Sequence, residues 1–146
     1  MGKVTAFSEL EITAPIEKVR ALIGDYLGAR SQILTEHFHD YQVIEGGSGA
    51  GTKVSWKLQA TAKRVRNVVA DITEPQPGTV VETDENSSMV TTWSVREAVS
   101  TAAVVVRIET TWNGAGGIGG FFEKTFAPKG LKRIYDEMLG KLAALV

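Results

Sequence analysis

The chain has 146 residues, 43% of them hydrophobic, and its 16 basic and 17 acidic residues leave a formal net charge of −1 at pH 7. Its lysines and arginines are scattered, so the sequence lacks the basic patch that nucleic-acid binding requires, and no nucleic-acid partner is expected. There is no cysteine, which excludes disulfides and thiolate chemistry.

The length fits one domain spanning residues 1–146, which is long enough to bury about 68–70% of the surface of the unfolded chain. No segment approaches the 18 or so consecutive apolar residues of a membrane span, so no membrane insertion is expected. The N-terminal stretch MGKVTAFSELEITAP carries glutamates where a signal peptide needs an apolar region. These features predict a cytoplasmic protein.

Apolar and polar residues alternate between Val4 and Ile12, which predicts a first strand with one apolar face. Pro15 then stands where a helix can begin, and Thr13 is placed to cap it. Apolar residues at helical spacing predict a short helix from Ile16 to Gly24, and residues 28–34 are expected to form a second one.

Residues 45–54, EGGSGAGTKV, superficially resemble a phosphate-binding loop. A P-loop needs its lysine directly after the last glycine and before the hydroxyl residue, whereas here Thr52 precedes Lys53. Phosphate loops also open a helix, but residues 54–60 alternate with the period of a strand. The run is therefore predicted to be a hairpin turn, with no bound nucleotide.

Strands are predicted almost without interruption through the middle of the chain. Their expected bounds are about 37–45, 52–61, 63–73, 79–86, 89–98 and 101–112. The connections between them are short, and residues 75–78 (PQPG) form a strong turn signal. Short connections imply antiparallel neighbours, so the pattern predicts a meander.

The C-terminal residues return to helical spacing. The apolar stripe consists of Phe122, Phe126, Leu131, Ile134, Met138, Leu142 and Leu145. Because Pro128 lies within this pattern, the helix is expected to kink or restart near Ala127. The simplest assembly packs one long amphipathic helix against one antiparallel sheet.

This order of elements resembles the helix-grip fold of the START-like or SRPBCC superfamily, which includes the birch-pollen allergen, polyketide cyclases and lipid-transfer domains. Residues 12–19 (ITAPIEKV), 46–52 (GGSGAGT) and 121–131 (FFEKTFAPKGL) resemble its strand-to-helix junction, its glycine-rich hairpin and the start of its last helix. The resemblance implies an α+β fold with a curved seven-stranded antiparallel sheet wrapped around a long C-terminal helix. Two short helices would lie between strands 1 and 2. Many relatives have a tryptophan in the second short helix, where this chain has Gln32 and Ile33.

The resemblance further implies a cavity between the sheet and the helix, whereas the residues alone favour a solid core for any single aromatic side chain. Side chains in the inward register of the strands, and on the facing side of the helix, are the candidate ligand-binding residues. They are Trp56, Leu58, Val68, Thr91, Trp93, Val106, Ile108, Phe122, Phe126, Ile134, Tyr135 and Met138.

Three functions remain open. The favoured one is binding or carrying a small hydrophobic molecule of the lipid, polyketide or isoprenoid type, with no cofactor. A polyketide cyclase or aromatase-like enzyme would use the same cavity but needs a buried acid or base. Glu97 and Arg66 continue inward registers but are expected in solvent at strand ends, so no catalytic residue is assigned. The third function is a protein-interaction module without a ligand, and no pattern specifies the oligomeric state.

His37 and His39 place two imidazoles on one face of a strand, about 6–7 Å apart. A zinc site needs at least a third protein ligand, which neither Glu36 nor Asp40 is placed to supply. We therefore expect surface histidines and no bound metal.

Overall fold

The computed structural model describes residues 3–61, 64–99, 102–113 and 128–146. The strands are β1 Lys3–Ile12, β2 Phe38–Glu45, β3 Lys53–Thr61, β4 Arg64–Gln76, β5 Thr79–Asp84, β6 Val90–Glu97 and β7 Val104–Asn113. The helices are α1 Ile16–Ile23, α2 Ala29–Gln32 and α3 Pro128–Ala143. No helix within these ranges is long and apolar enough to cross a membrane.

The strands form one antiparallel sheet in the order β1-β7-β6-β5-β4-β3-β2. Strands β2 to β7 are a meander, because each one pairs with its neighbour in sequence. Strand β1 pairs with β7, from Lys3 opposite Asn113 to Ile12 opposite Val104. The two short helices therefore connect one edge of the sheet to the other, and the predicted helix-grip fold is confirmed.

The core lies between the inner face of the sheet and α3. Burial alternates strictly along β7, as expected for a strand with one face covered. The buried face of α3 consists of Leu131, Ile134, Tyr135, Met138, Leu139 and Leu142. Within the described residues, helix α3 runs from Pro128 to Ala143. The predicted restart near Ala127 lies outside the described residues.

A polar contact fixes α3 on β1. The hydroxyl of Ser8, a buried residue of β1, donates a hydrogen bond to the carboxylate of Asp136. Lys132 Nζ lies 3.0 Å from the same carboxylate, one turn earlier on the helix. Burial alone would raise the pKa of Asp136, but the bonds from Ser8 and Lys132 outweigh it and lower that pKa. Asp136 therefore stays ionised near neutral pH and accepts the hydrogen bond from Ser8 where α3 packs on β1.

The glycine-rich run is a hairpin, as predicted. It joins the antiparallel strands β2 and β3, and Gly46, Gly49 and Gly51 adopt positive φ angles of 67°, 61° and 89°. Its backbone also reaches α1, because Gly49 N donates a 3.0 Å bond to Gly24 O. The loop therefore ties the start of β3 to the end of the first helix.

The predicted cap of α1 is wrong. Helix α1 begins at Ile16, and Pro15 is its N-cap rather than its first helical residue, without any side-chain cap. Thr13 lies two residues before the N-cap, which is the position that a capping side chain occupies. The second helix is shorter than predicted, and the Asp25 carboxylate accepts bonds from Gly28 N (3.0 Å) and Ala29 N (3.2 Å) at its start.

Candidate functional site

A pocket opens between the inner face of the sheet, α2 and α3. It is lined by Tyr26, Arg30, Leu34, Phe38, Tyr41, Trp56, Leu58, Glu82, Met89, Thr91, Trp93, Leu131, Tyr135 and Met138. Aromatic and aliphatic side chains dominate this lining, with few polar groups among them. Such a composition is typical of small-molecule sites, in which a small number of polar groups orient an apolar ligand.

A buried ion pair forms part of the wall. Arg30 comes from α2 and Glu82 from the inward register of β5, and Arg30 Nη2 lies 2.6 Å from Glu82 Oε2. The side chains are only 5% and 6% exposed, so water screens them little. Arg30 Nη1 also donates to the carbonyl oxygen of Ile23 at 3.1 Å, and the Tyr26 hydroxyl donates to Glu82 Oε2 at 2.7 Å.

Two aromatic rings flank the guanidinium of Arg30. Its Cζ atom lies 4.6 Å from the ring centroid of Tyr26 and 4.1 Å from that of Trp93, distances at which cation–π attraction operates. Burial disfavours the guanidinium charge, but the Glu82 carboxylate, together with Tyr26 and Tyr41, outweighs burial and raises the pKa of Arg30 above its ordinary value. Burial likewise raises the pKa of Tyr26, so its hydroxyl remains a donor to Glu82.

A chain of hydroxyl groups crosses from the sheet to α3. Thr91 of β6 and Thr110 of β7 are hydrogen-bonded at 2.7 Å, and the Thr110 hydroxyl also bonds the Tyr135 hydroxyl. Burial raises the pKa of Tyr135 to about 12. Thr91 and Tyr135 both line the pocket, so this chain gives the apolar wall a second polar position.

Trp56 and two neighbouring rings, Phe38 and Tyr41, form another part of the wall. The Tyr41 ring stacks on Trp56 with centroids 6.5 Å apart and planes at 21°, and the Phe38 ring meets Trp56 edge-on at 6.0 Å. The Tyr41 hydroxyl donates to the carbonyl oxygen of Tyr26 at 2.6 Å, which ties β2 to the segment before α2. Burial raises the pKa of Tyr41 to about 12.

Two donors in the lining have no acceptor among the described residues. They are the Arg30 Nε–H and the Trp56 Nε1–H, and both atoms are buried. Arg30 is 4% exposed and Trp56 9% exposed. A buried donor without a partner costs about 1–3 kcal/mol, so these positions favour an acceptor atom in the pocket.

The pocket is narrow as it stands. The space open to the centre of a water molecule is about 30 Å³, while one water needs about 10–15 Å³ in this measure, so about two or three waters fit. Leu34, Phe38 and Tyr41 are the half-buried members of the lining. A ligand with a ring system therefore enters only if side chains at this mouth move aside.

The structure brings half of the predicted site residues to this pocket. Those lining it are Trp56, Leu58, Thr91, Trp93, Tyr135 and Met138. Those buried in the core but outside this lining are Val68, Val106, Ile108 and Ile134. Phe122 and Phe126 lie outside the described residues. That these side chains bind a ligand stays a prediction.

Sequence reasoning missed the ion pair of Arg30 and Glu82, which is the polar centre of the pocket. Glu82 carried a readable signal, because Val80, Glu82 and Asp84 occupy one inward register of β5 and are all buried. Arg30 had no comparable signal in the sequence, since its orientation follows from the placement of α2 against the sheet. Glu97 is exposed and Arg66 half-buried, and Arg66 donates to the carbonyl oxygen of Asn86; neither lines the pocket.

The histidines lie away from the pocket lining. His37 precedes β2, and its Nδ1 lies 3.2 Å from the hydroxyl of Thr35, while His39 is exposed. Within the described ranges, no three histidine, aspartate or glutamate side chains gather into a group that could hold a metal ion. The absence of a bound metal stays a prediction.

Comparisons with known proteins agree on the fold. The whole chain, residues 1–146, matches the sequence model of a family described as polyketide cyclase / dehydrase and lipid transport. The solution structure of the KanY protein is 50% identical, with a TM-score of 0.86 over 99% of this chain and 98% of that one. A START superfamily protein from Mycobacterium smegmatis is 9% identical, with a TM-score of 0.70 over 99% and 100% of the chains.

Norcoclaurine synthase from Thalictrum flavum, in complex with dopamine and hydroxybenzaldehyde, is 14% identical. Its TM-score is 0.68 over 99% of this chain and 86% of that one. At this level of identity the likeness concerns the fold alone. No curated protein sequence matches the chain at a significant level.

Proposed function

The chain belongs to the polyketide cyclase/dehydrase and lipid-transport family, and from this premise we propose that it binds a small hydrophobic molecule between the sheet and α3. The ligand is of the lipid, polyketide or isoprenoid type, and residues 1–146 act as one START-like domain in the cytoplasm. One observation carries the proposal: an apolar, aromatic-rich pocket has a buried ion pair, Arg30–Glu82, in its wall.

The lining has more buried polar groups than a core built for stability requires. This composition supports a binding site rather than a solid core. A core built for stability alone gains little from a buried ion pair, since hydrophobic residues of similar volume are often as stable. A pocket that orients a ligand uses such groups directly. Norcoclaurine synthase holds two small aromatic molecules on the same fold, which is consistent with this use.

Native mass spectrometry of the freshly purified protein tests the proposal. We expect a bound mass of a few hundred daltons that is retained in the folded protein and released on denaturation. A protein that is free of ligand as purified, and that also binds no neutral naphthalene-type fluorophore, would be better described as a protein-interaction module.

A cyclase or aromatase-like enzyme is the second candidate, because the Glu82 carboxylate supplies the buried base that such an enzyme needs. Glu82 would take a proton from the carbon beside a substrate carbonyl, whose oxygen accepts from Arg30. The resulting carbanion would attack a second carbonyl of the same chain, the alkoxide formed there would take the proton back from Glu82, and loss of one water would follow ring closure. Incubation with a linear poly-β-ketone thioester tests this reaction, and an unchanged substrate mass would rule it out for that substrate class.

A further inference from the structure

Two buried N–H donors in the pocket lining indicate which polar group a ligand would present there. Arg30 and Trp56 are in the lining, and each has one buried N–H without an acceptor among the described residues. Trp56 can only donate through its ring nitrogen, and arginine has no acceptor atom at all. What the pocket lacks at these two positions is therefore an acceptor.

The charge of the pocket indicates what kind of acceptor fits. Arg30 and Glu82 are the charged residues of the described lining, and they neutralise each other at 2.6 Å. A ligand carboxylate would bring a second negative charge near Glu82, with no uncompensated positive charge to balance it. Burying an unpaired charge is far more costly than burying a neutral carbonyl or phenol oxygen that accepts a hydrogen bond.

The rest of the lining favours a flat ligand. Phe38, Tyr41, Trp56 and Trp93 supply aromatic faces and edges, and such rings pack best against other planar groups. Water in the pocket can bond the two free donors, but a ligand displaces that water. A ligand without an acceptor then leaves both donors unpaired and loses affinity.

We infer that Arg30 and Trp56 select a neutral, planar ligand bearing a carbonyl or phenol oxygen, and that the pocket discriminates against carboxylates such as free fatty acids. This inference rests on the binding function proposed above. It names the chemistry that the site recognises: an oxygen acceptor held by the Arg30 Nε–H and the Trp56 Nε1–H, with the ring system among the aromatic side chains.

Three naphthalene probes substituted at the same ring position test the inference: acetylnaphthalene, ethylnaphthalene and naphthoate. They match in ring area and differ in their polar group, which is a neutral ketone, an alkyl group or a carboxylate. Titration calorimetry with the wild-type protein should give tighter binding for the ketone than for ethylnaphthalene, by about threefold to tenfold for each hydrogen bond formed. Naphthoate should bind more weakly than the ketone.

Trp56→Phe assigns the effect to a residue, because phenylalanine keeps the aromatic face and removes the N–H. The advantage of the ketone, measured as the ratio of its affinity to that of ethylnaphthalene, should shrink, because the smaller ring lowers both affinities whereas the lost N–H lowers only that of the ketone. Trp112→Phe is the matched control, since Trp112 is buried on β7 outside the pocket lining. That variant should keep the full advantage of the ketone.

The outcomes separate this inference from the function on which it rests. Equal binding of ketone and ethylnaphthalene overturns the inferred oxygen recognition and leaves hydrophobic binding intact. Tightest binding by naphthoate overturns the inferred neutrality of the ligand. If none of the three probes binds, the proposed function fails together with the inference.

Discussion

At the scale of single residues, Glu82 is the position where the pocket departs most from an ordinary core. Alternation along β5 places it between the buried residues Val80 and Asp84, where an apolar side chain would pack with less cost. Its carboxylate instead meets Arg30 and Tyr26 at 2.6 and 2.7 Å. The stability of this region therefore depends on keeping all three partners.

Glu82→Gln should strongly destabilise the fold, by about 3–5 kcal/mol, because it leaves the Arg30 charge buried without its counter-ion. Glu17→Gln is the matched control, since Glu17 also pairs with an arginine, Arg20, at 2.7 Å, but its side chain is 78% exposed. That change should cost less than about 1 kcal/mol. Urea unfolding of both variants measures the difference. A loss of unfolding free energy below about 1 kcal/mol for Glu82→Gln would mean that the stability of this region does not depend on the ion pair.

The sequence was most informative where periodicity decides orientation. Trp56 and Trp93 were placed inward by alternation, and Tyr135 and Met138 by their spacing of three on one helix face; all four line the pocket. Arg30 could not be placed in this way. It lies in a helix of four residues, which is too short for a periodic pattern, and its partner is 52 residues away in sequence.

At the scale of elements, replacing glycine by alanine is expected to change the stability of the protein in opposite directions in the hairpin and in the helix. Gly46 has a φ of +67°, and a Cβ there would lie 3.0 Å from Thr52 Cα, whereas a Cβ on Gly140 of α3 would have nothing within 4 Å. Gly46→Ala forces a left-handed conformation on alanine and a close backbone contact. Gly140→Ala removes an unfavourable residue from a helix interior.

We therefore expect Gly46→Ala to destabilise the protein by about 1–2 kcal/mol and Gly140→Ala to stabilise it by about 0.5–1 kcal/mol. Thermal unfolding followed by circular dichroism measures both changes. Shifts of the same sign in both variants would contradict the assigned roles of the hairpin and the helix.

Element boundaries show where local sequence stops deciding structure. The glycine run and the strand alternation located the β2–β3 hairpin, because turn residues and period two act within a few positions. The predicted Thr13 cap failed because Pro15 itself occupies the N-cap, and the start of α2 is stabilised by Asp25. Such caps depend on the path of the chain, which a spacing rule does not encode.

At the scale of the whole molecule, the three tyrosines all lie at the pocket and all have a raised pKa. Burial raises the pKa of Tyr41 and of Tyr135 from 10.0 to about 12, and it raises that of Tyr26 further. Each neutral hydroxyl therefore contributes stability that is fully present below pH 10. This contribution is lost as the pH rises from 10 towards 12, because the unfolded chain releases those protons first.

Alkaline titration should accordingly yield no tyrosinate absorbance at pH 10 and a cooperative rise above it, coincident with the loss of circular dichroism. A model tyrosine peptide, half ionised near its ordinary pKa of about 10, is the control. A tyrosine that ionises at pH 10 while the protein stays folded would contradict the burial of its hydroxyl.

The architecture was predictable because many weak signals agree along the chain. Short turns imply antiparallel neighbours, and the apolar stripe of the C-terminal helix can cover the apolar face of the sheet. The size of the pocket was not, since it depends on how side chains fill the space between sheet and helix. At about 30 Å³, the space holds a few waters, so ligand entry requires the mouth around Leu34 to open.

Blocking that mouth tests the central claim most directly. Leu34 lines the pocket and is half-buried, whereas Leu27 is 68% exposed and lies outside the lining. Leu34→Trp should weaken binding of a neutral naphthyl ketone fluorophore at least tenfold, or about 1.4 kcal/mol, while Leu27→Trp leaves it unchanged. If both variants bind as the wild type does, or both lose binding equally, the ligand does not enter between the sheet and α3.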